Sequence, residues 1–392
     1  MLRPAGLIFL LAVVALFAPG QSSAQQRLSA DPYAQAGQWT LGMMTGAIDG
    51  TALRMANELA VLLDDGPNLR IVPMIGESSI RNVTDLFHVD GVDLAVVQSD
   101  VLAHLKRTNR IPGLEDRMHY IAKLHSEEFH VLSRMKFLCL ADLSGRKVNF
   151  GPAGSGSALT AQAVFEASKV QVQPQYLDQT VAAQKLRNGE IDAAVFVSGK
   201  PASAFDRLRY TDGVHFLDVG FVDDLQRDYL PAILTHDDYP DLVAPDETVS
   251  TIAVSAVVAA AKPQARNRRP AKLDRFVERF FSRLQVLRQP PNHVKWREVS
   301  LSAPVAGWTR FPAAQQWLKD NPASSAAKKE IGPGAEPDVA GLQDFRGLNE
   351  AESEKIRFLF EKFSRDYGPS SGEDRDKLFK EFLRWYSAGK QN

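Results

Sequence analysis

Cysteine is almost absent: Cys139 is the single one among 392 residues. The chain therefore cannot close a disulfide on itself, and its stability has to come from packing. Cys139 sits in the apolar run KFLCLA, which places it in the core and not at a reactive site. An excess of either charge is also absent, with 46 Lys and Arg against 47 Asp and Glu. That balance gives no broad basic surface for nucleic acid. Beyond the N-terminus no apolar run is long enough to span a bilayer; the nearest, residues 252–261, is too short. Catalytic signatures are missing as well. The eight histidines form no zinc-ligand pair with a glutamate on a helix. There is no Gly-x-Ser-x-Gly elbow, and no Lys-Ser or Lys-Thr follows the glycine-rich turns. The reading is of a protein that binds and does not catalyse, with no cofactor and no metal.

What is present begins with an export signal. Arg3 supplies a positive start, residues 6–18 an apolar run, and Ser22, Ser23 and Ala24 a small-residue cleavage site. The expectation is cleavage after about Ala24 and a periplasmic protein, with residues 25–36 a polar lead.

The rest alternates strands with helices, the signature of a mostly parallel sheet covered on both faces. Apolar runs at 39–43, 69–74 and 92–97 read as strands, with a helix predicted after the turn at 45–51 and another after that at 75–82. Residues 119–135 read as one long strand that leaves a first lobe and enters a second. His125 and His130 flank Glu127 and Glu128 on it; they read as solvated or hinge residues, with the lining of a cleft as the alternative. In the second lobe the strands are 147–150, 191–197 and 216–221. A return crossing is expected near Val222, followed by a strand at 251–260. Leu273, Phe276, Val277, Phe280, Phe281, Leu284 and Leu287 give the strongest helical period in the chain. The expected division is signal peptide 1–24, first lobe 25–126 and 223–310, second lobe 127–222, and 311–392 as linker and helical extension. In that extension a Pro-, Ala- and Ser-rich stretch precedes two amphipathic helices, starting near Asn349 and Ser370.

Ligands of parallel α/β sheets bind at the carboxyl ends of strands. Five polar exits fall there, and they supply the candidate ligand-binding residues. The first gives Thr45, Gly46, Gly50 and Thr51, the second Ser79 and Asn82, and the third Gln98, Ser99 and Asp100. The second lobe gives Gly154, Ser155, Gly156 and Ser157, then Ser198, Gly199, Lys200 and Pro201. The turn at 154–157 opens a helix, whose free N–H groups and dipole suit an anion. Lys200 offers a full positive charge, so a small organic acid, or an amino acid, is the expected ligand. An ordinary strand-to-helix turn and a solvated Lys200 are the alternatives. The strands DLAVVQS and DAAVFVS, one per lobe, echo each other.

These segments resemble the TAXI-type solute-binding proteins of tripartite ATP-independent periplasmic (TRAP) transporters. The resemblance rests on LGMMTGAIDGTALRMANELA, the turn Ser78 to Asn82, DLAVVQSD, DLSGRKVNFGPAGSGSALTAQAVFEA and DAAVFVSGKPASAF, and covers roughly residues 38–290. The chain departs from the family pattern in three places. Thr51-Ala52 stands where paired tyrosines are usual, Ser78 replaces a glycine, and Lys200 lies inside the Gly-x-Pro motif. The resemblance implies an α/β, two-lobed type II periplasmic-binding-protein fold, here with a C-terminal helical extension. It also implies a receptor that hands an anionic solute to TRAP membrane permease subunits. The competing expectation is a periplasmic sensor or assembly module of the same fold, signalling through a partner protein.

Overall fold

The computed structural model describes residues 39–76, 78–220, 222–262 and 269–322. The export signal, the polar lead, the linker and the two C-terminal helices expected from the sequence lie outside the described residues.

The first lobe opens as expected. Strand β1 (Thr40–Met44) leads to helix α1 (Thr51–Leu63), β2 (Arg70–Met74), α2 (Ser79–His88), β3 (Val92–Gln98), α3 (Ser99–Thr108) and a single turn, α4 (Leu114–Arg117). Then β4 (Met118–Arg134) runs for 17 residues without a break. The second lobe repeats the plan with β5 (Lys147–Asn149), α5 (Gly156–Ala167), β6 (Gln173–Gln175), α6 (Gln179–Arg187) and β7 (Ala193–Ser198). Short β8 (Val214–Phe216) and β9 (Leu230–Thr235) follow, then the 14-residue β10 (Thr248–Ala261). Helices α7 (Arg269–Leu287) and α8 (Pro312–Asp320) return to the first lobe.

The sheet order is β2-β1-β3-β10-β4-β7-β5-β6, with β8 on β4 and β9 on β10. Within it β1, β2 and β3 pair in parallel, as do β5, β6 and β7. Each lobe thus lays its strands in the order second-first-third, and next to the third comes an antiparallel strand, β10 in one lobe and β4 in the other. The echo between DLAVVQS and DAAVFVS follows: β3 and β7 are the third strands of the two lobes, buried along their whole length. A strand covered on both faces has to be apolar throughout, which is why both segments read as continuous runs.

Each lobe carries apolar clusters on both faces of its sheet. In the first, α1 and α7 pack Met55, Leu59, Phe276 and Phe280 on Leu41, Leu94 and Ile121, while α2 and α3 cover the other face with Val83, Leu86, Val101 and Leu105. In the second, Val164 and Phe165 of α5 meet Val148 and Val195, and Leu186 of α6 meets Phe196 and Phe216. Both β4 and β10 contribute to both lobes: Ile121, Leu124 and Ala256 lie in the first, Phe129, Val131, Ile252 and Val254 in the second. The result is a two-lobed α/β fold of the periplasmic-binding-protein kind, its lobes joined by two neighbouring antiparallel strands.

Several sequence expectations need correction. The return crossing is not near Val222. Leu225, Tyr229, Leu234 and Tyr239 still pack in the second lobe, and the crossing occurs inside β10, between Val254 and Ala256. The polar composition of residues 222–229 disguised this, because a short turn with buried Leu225 and Tyr229, and not a strand, holds that segment. The expected strand at 216–221 is only Val214–Phe216; beyond it single bonds, from Leu217 to Val131 and from Val219 to Ser250, carry the chain along the sheet. The first lobe does not end at residue 310, since Phe311, Ala314 and Leu318 are buried in its core. Cys139 is half-buried and not in the core; it begins a tight turn that Asp142 caps.

Candidate functional site

The polar strand exits of the two lobes face one another, and in this structure they are in contact. Thr51, the first residue of α1, makes the tightest junction. Its N–H donates to Ser198 Oγ at 3.2 Å, and its hydroxyl donates to Gly199 O at 2.8 Å. Gly199 has no room for a side chain, because a Cβ there would lie 3.0 Å from both Thr51 Cγ2 and His125 Cδ2. Nearby, Ser203 Oγ donates to Asp49 O. The lobes are therefore closed.

The third exit reaches across to the N-terminus of α5. Gln98 ends β3, is 7% exposed, and donates from Nε2 to Glu127 Oε2 at 2.6 Å. Its Oε1 lies over Gly156, only 1.4 Å from where a Cβ would be, with Ser79 Oγ 2.9 Å from the same point. Gly156 is needed for this approach. Gly154, with φ of +76°, is needed for the turn before it and faces Ser78. The carboxamide of Gln98 thus occupies the place at the helix terminus that the sequence suggested for an anion.

Other predicted residues hold these loops in position. Thr45 is fully buried; its hydroxyl donates to Met74 O, and its carbonyl accepts from Asn82 Nδ2 at 2.6 Å. Gly46 O accepts from Gly76 N–H, and Gly50 caps α1 with an ordinary negative φ. Ser99 Oγ accepts from Ser255 N–H on β10. Ser155 caps α5 by accepting from Ala158 N–H, and Ser157 Oγ accepts from Val197 N–H. Both serine oxygens thus accept from backbone N–H groups of their own lobe. Lys200 is paired as well: Nζ donates to Ile233 O at 2.8 Å and to Asp238 Oδ2 at 2.9 Å, and its backbone N–H donates to Glu128. Its charge is already balanced inside the second lobe, and Pro201 follows it. Asp100 takes no part in the Gln98 cluster; it bonds Thr160 and Tyr229 of the second lobe.

The floor of the seam comes from the crossing strand, and sequence reading undervalued it. His125, Glu127, Glu128 and His130 are buried, not solvated. His125 is 1% exposed and neither ring nitrogen makes a hydrogen bond, although Nε2 lies 3.5 Å from Glu127 Oε1. Gln98 Oε1 and Asn82 Oδ1 likewise lack hydrogen-bond partners among the described residues. Buried polar atoms are normally satisfied, so the Gln98 and His125 groups, both set against second-lobe glycines, mark the seam as a place built for something else to touch. Two negative residues and two histidines within six positions of one apolar strand were the signal available in the sequence.

Glu128 belongs to a second buried network. It accepts from Lys295 Nζ at 2.6 Å, and Lys295 also donates to Glu298 at 2.7 Å. Glu298 in turn accepts from Ser126 N–H. Burial pulls the Lys295 pKa down, but the two carboxylates outweigh it and hold the value above that of an ordinary lysine. His130 lies apart, caged by Phe205, Phe216 and Tyr239. Burial brings its pKa down to about 3, so it is a neutral core histidine bonded to Tyr239 OH.

Among the described residues no group of three or more His, Cys, Asp or Glu is placed to hold a metal ion. Nor is any described helix long and apolar enough to cross a membrane.

Solved structures similar to this chain include the periplasmic aliphatic sulphonate binding protein SsuA from Escherichia coli. It is 16% identical over 72% of this chain and 78% of that one, with a TM-score of 0.36. The alkanesulfonate-binding protein SsuA from Xanthomonas axonopodis pv. citri, bound to MOPS, is 15% identical over 90% and 93%, with a TM-score of 0.39. A substrate binding protein of an ABC uptake transporter from Streptococcus pneumoniae, with bound histidine, is 10% identical over 66% and 93%, with a TM-score of 0.42. At these identities and scores the likeness assigns no ligand to this chain. The sequence itself is more telling, because residues 43–267, more than half of the chain, match one family along their length. By that match the chain belongs to the NMT1-like family.

Proposed function

We propose that this protein is an exported receptor that closes its two lobes on a small organic anion in the periplasm and presents it to the membrane subunits of a TRAP-type transporter. The observation that carries the reading is the seam. Strand exits from both lobes converge there, and Gln98 Oε1 and the His125 ring are buried without hydrogen-bond partners among the described residues. A cleft closed by polar loops at strand carboxyl ends is the usual form of a solute site in α/β proteins. The anionic character of the solute rests on the N-terminus of α5 alone, since the charge of Lys200 is paired with Asp238. The resemblance to TAXI-type receptors supports the transporter.

The solute bonds to the Gln98 carboxamide, so Gln98→Ala removes a buried polar contact, at a cost of about 1–3 kcal/mol, or about tenfold to a hundredfold in affinity. Mass spectrometry of small molecules released from the purified protein identifies the solute, and calorimetry on that compound measures the loss. Release of no small molecule, together with an absence of thermal stabilisation by organic acids and amino acids, would count against a solute receptor. Unchanged affinity in Gln98→Ala would remove Gln98 from the site.

A further inference from the structure

Asp100 is a carboxylate shared between the lobes. It lies in the first turn of α3, whose Val101, Leu102 and Leu105 are packed in the first lobe. Its Oδ1 accepts from Val101 N–H at 2.8 Å. Its Oδ2 accepts from two groups of the second lobe, the hydroxyl of Thr160 on α5 at 2.6 Å and that of Tyr229 at 3.2 Å. Beside this junction Leu159 of α5 packs on the apolar cluster of the first lobe. Asp100 is 1% exposed, and none of these three donors carries a charge. From β4, the charged group acting on it is Glu127, of the same sign. Beyond Tyr229, Asp228 pairs with Arg107 at 2.8 Å and with Arg227 at 3.2 Å. From β10, the neighbour is Ser255, whose N–H donates to Ser99 Oγ.

We propose that Asp100 is a proton-operated latch between the lobes: proton uptake by this carboxyl favours the closed arrangement, and proton loss favours opening. A buried carboxylate held only by neutral donors, with another carboxylate nearby, is more comfortable protonated. The geometry accommodates the proton, because the hydroxyls of Thr160 and Tyr229 can each turn to accept from the carboxyl as readily as they donate to it. Burial, reinforced by Glu127 and opposed by the bonds from Thr160, Val101 and Tyr229, brings the pKa up to about 6. Opened lobes return the group to water, where an aspartate titrates near ~4.

The sign follows. Above pH ~6 the group is ionised in both arrangements, and burying it opposes closure. As the pH falls from ~6 to ~4 the closed form takes up the proton and the open form does not, so closure gains; below ~4 the gain is complete. Two pKa units correspond to about a hundredfold change in the ratio of closed to open molecules. This goes beyond solute capture, since it concerns the lobes with nothing bound.

The test uses the full chain without solute. Amide hydrogen exchange, corrected for its intrinsic pH dependence, is followed between pH 4.5 and 8 at Thr51, whose N–H is buried only while the lobes are shut. Protection in the native protein should rise about 25-fold as the pH falls across this range, because the full gain is reached only below ~4. Asp100→Asn, a neutral isostere, should stay protected and show no such dependence. Thr160→Val, which removes a donor that favours the anion, should move the midpoint to higher pH. The same pH dependence in Asp100→Asn as in the native protein would overturn the latch, as would uniform protection in the native protein across the range. Should Asp100→Asn not fold, an unshifted midpoint in Thr160→Val overturns it equally.

Discussion

Lys295→Met is expected to lower the stability of the protein by about 3–5 kcal/mol, the usual cost of breaking a buried ion pair from one side. The Lys295 and Glu128 side chains are each 1% exposed and lie 2.6 Å apart, so neither has water to fall back on. Removing the ammonium leaves Glu128 with only the Lys200 N–H as a donor, and leaves Glu298 without its main counter-charge. The methionine fills most of the lysine stem's volume, so packing accounts for little of the loss. Urea denaturation measures it. Combining Lys295→Met with Glu128→Gln should recover part of the loss, because the second change removes the stranded charge. A loss under about 1 kcal/mol would mean that the network behaves like an exposed pair.

Gly156→Ala is expected to hold the lobes apart. The new methyl group would sit 1.4 Å from Gln98 Oε1 and 2.5 Å from Gln98 Cδ, so the side chain has to leave its bond to Glu127. In the open arrangement nothing opposes the methyl, and alanine suits a first helical position better than glycine. Thermal stability should change by less than about 1 kcal/mol while solute affinity falls by more than tenfold. Small-angle scattering should show a larger radius of gyration than in the native protein. The double variant Gln98→Ala/Gly156→Ala should close again, because the clash is then relieved; Ser79 Oγ, 2.9 Å from the methyl, is free to rotate. Strictly additive losses in the double variant would show that the two residues do not meet in solution.

The alternation of apolar runs and polar turns was enough to read the two-lobed plan. Both third strands, the 17-residue crossing strand and α7 stand close to where their patterns placed them. Runs buried on both faces have no other way to satisfy their backbone in a soluble sheet. The second half of the second lobe was harder. Leu217, Val219, Leu225 and Tyr229 anchor this stretch at irregular spacing, and no period marks such a segment. For the site, the exits were legible because glycine, serine and threonine cluster at turns. Their pairing was not. Nothing in the local pattern says that Thr51 meets Ser198, that Asp100 meets Thr160, or that Lys200 is balanced by Asp238. Those contacts join residues up to 147 positions apart, and the first two exist only in the closed arrangement of the lobes.

The pair β4 and β10 also governs how the molecule can come apart. Their ladder is interrupted opposite Ala256, where Leu124 and His125 face one residue instead of two, and a bulge of this kind bends the strands it joins. Opening therefore flexes a continuous hydrogen-bonded ribbon, and no loop has to rearrange. The same ribbon makes the lobes inseparable as folding units. Cutting between them would divide both strands, parting Ile121 and Leu124 in one core from Phe129 and Val131 in the other, and would sever the β4 and β10 ladders where the two lobes brace each other. Although the outline shows two bodies, denaturation should proceed as one cooperative transition, and neither lobe should be recoverable alone as a soluble fragment.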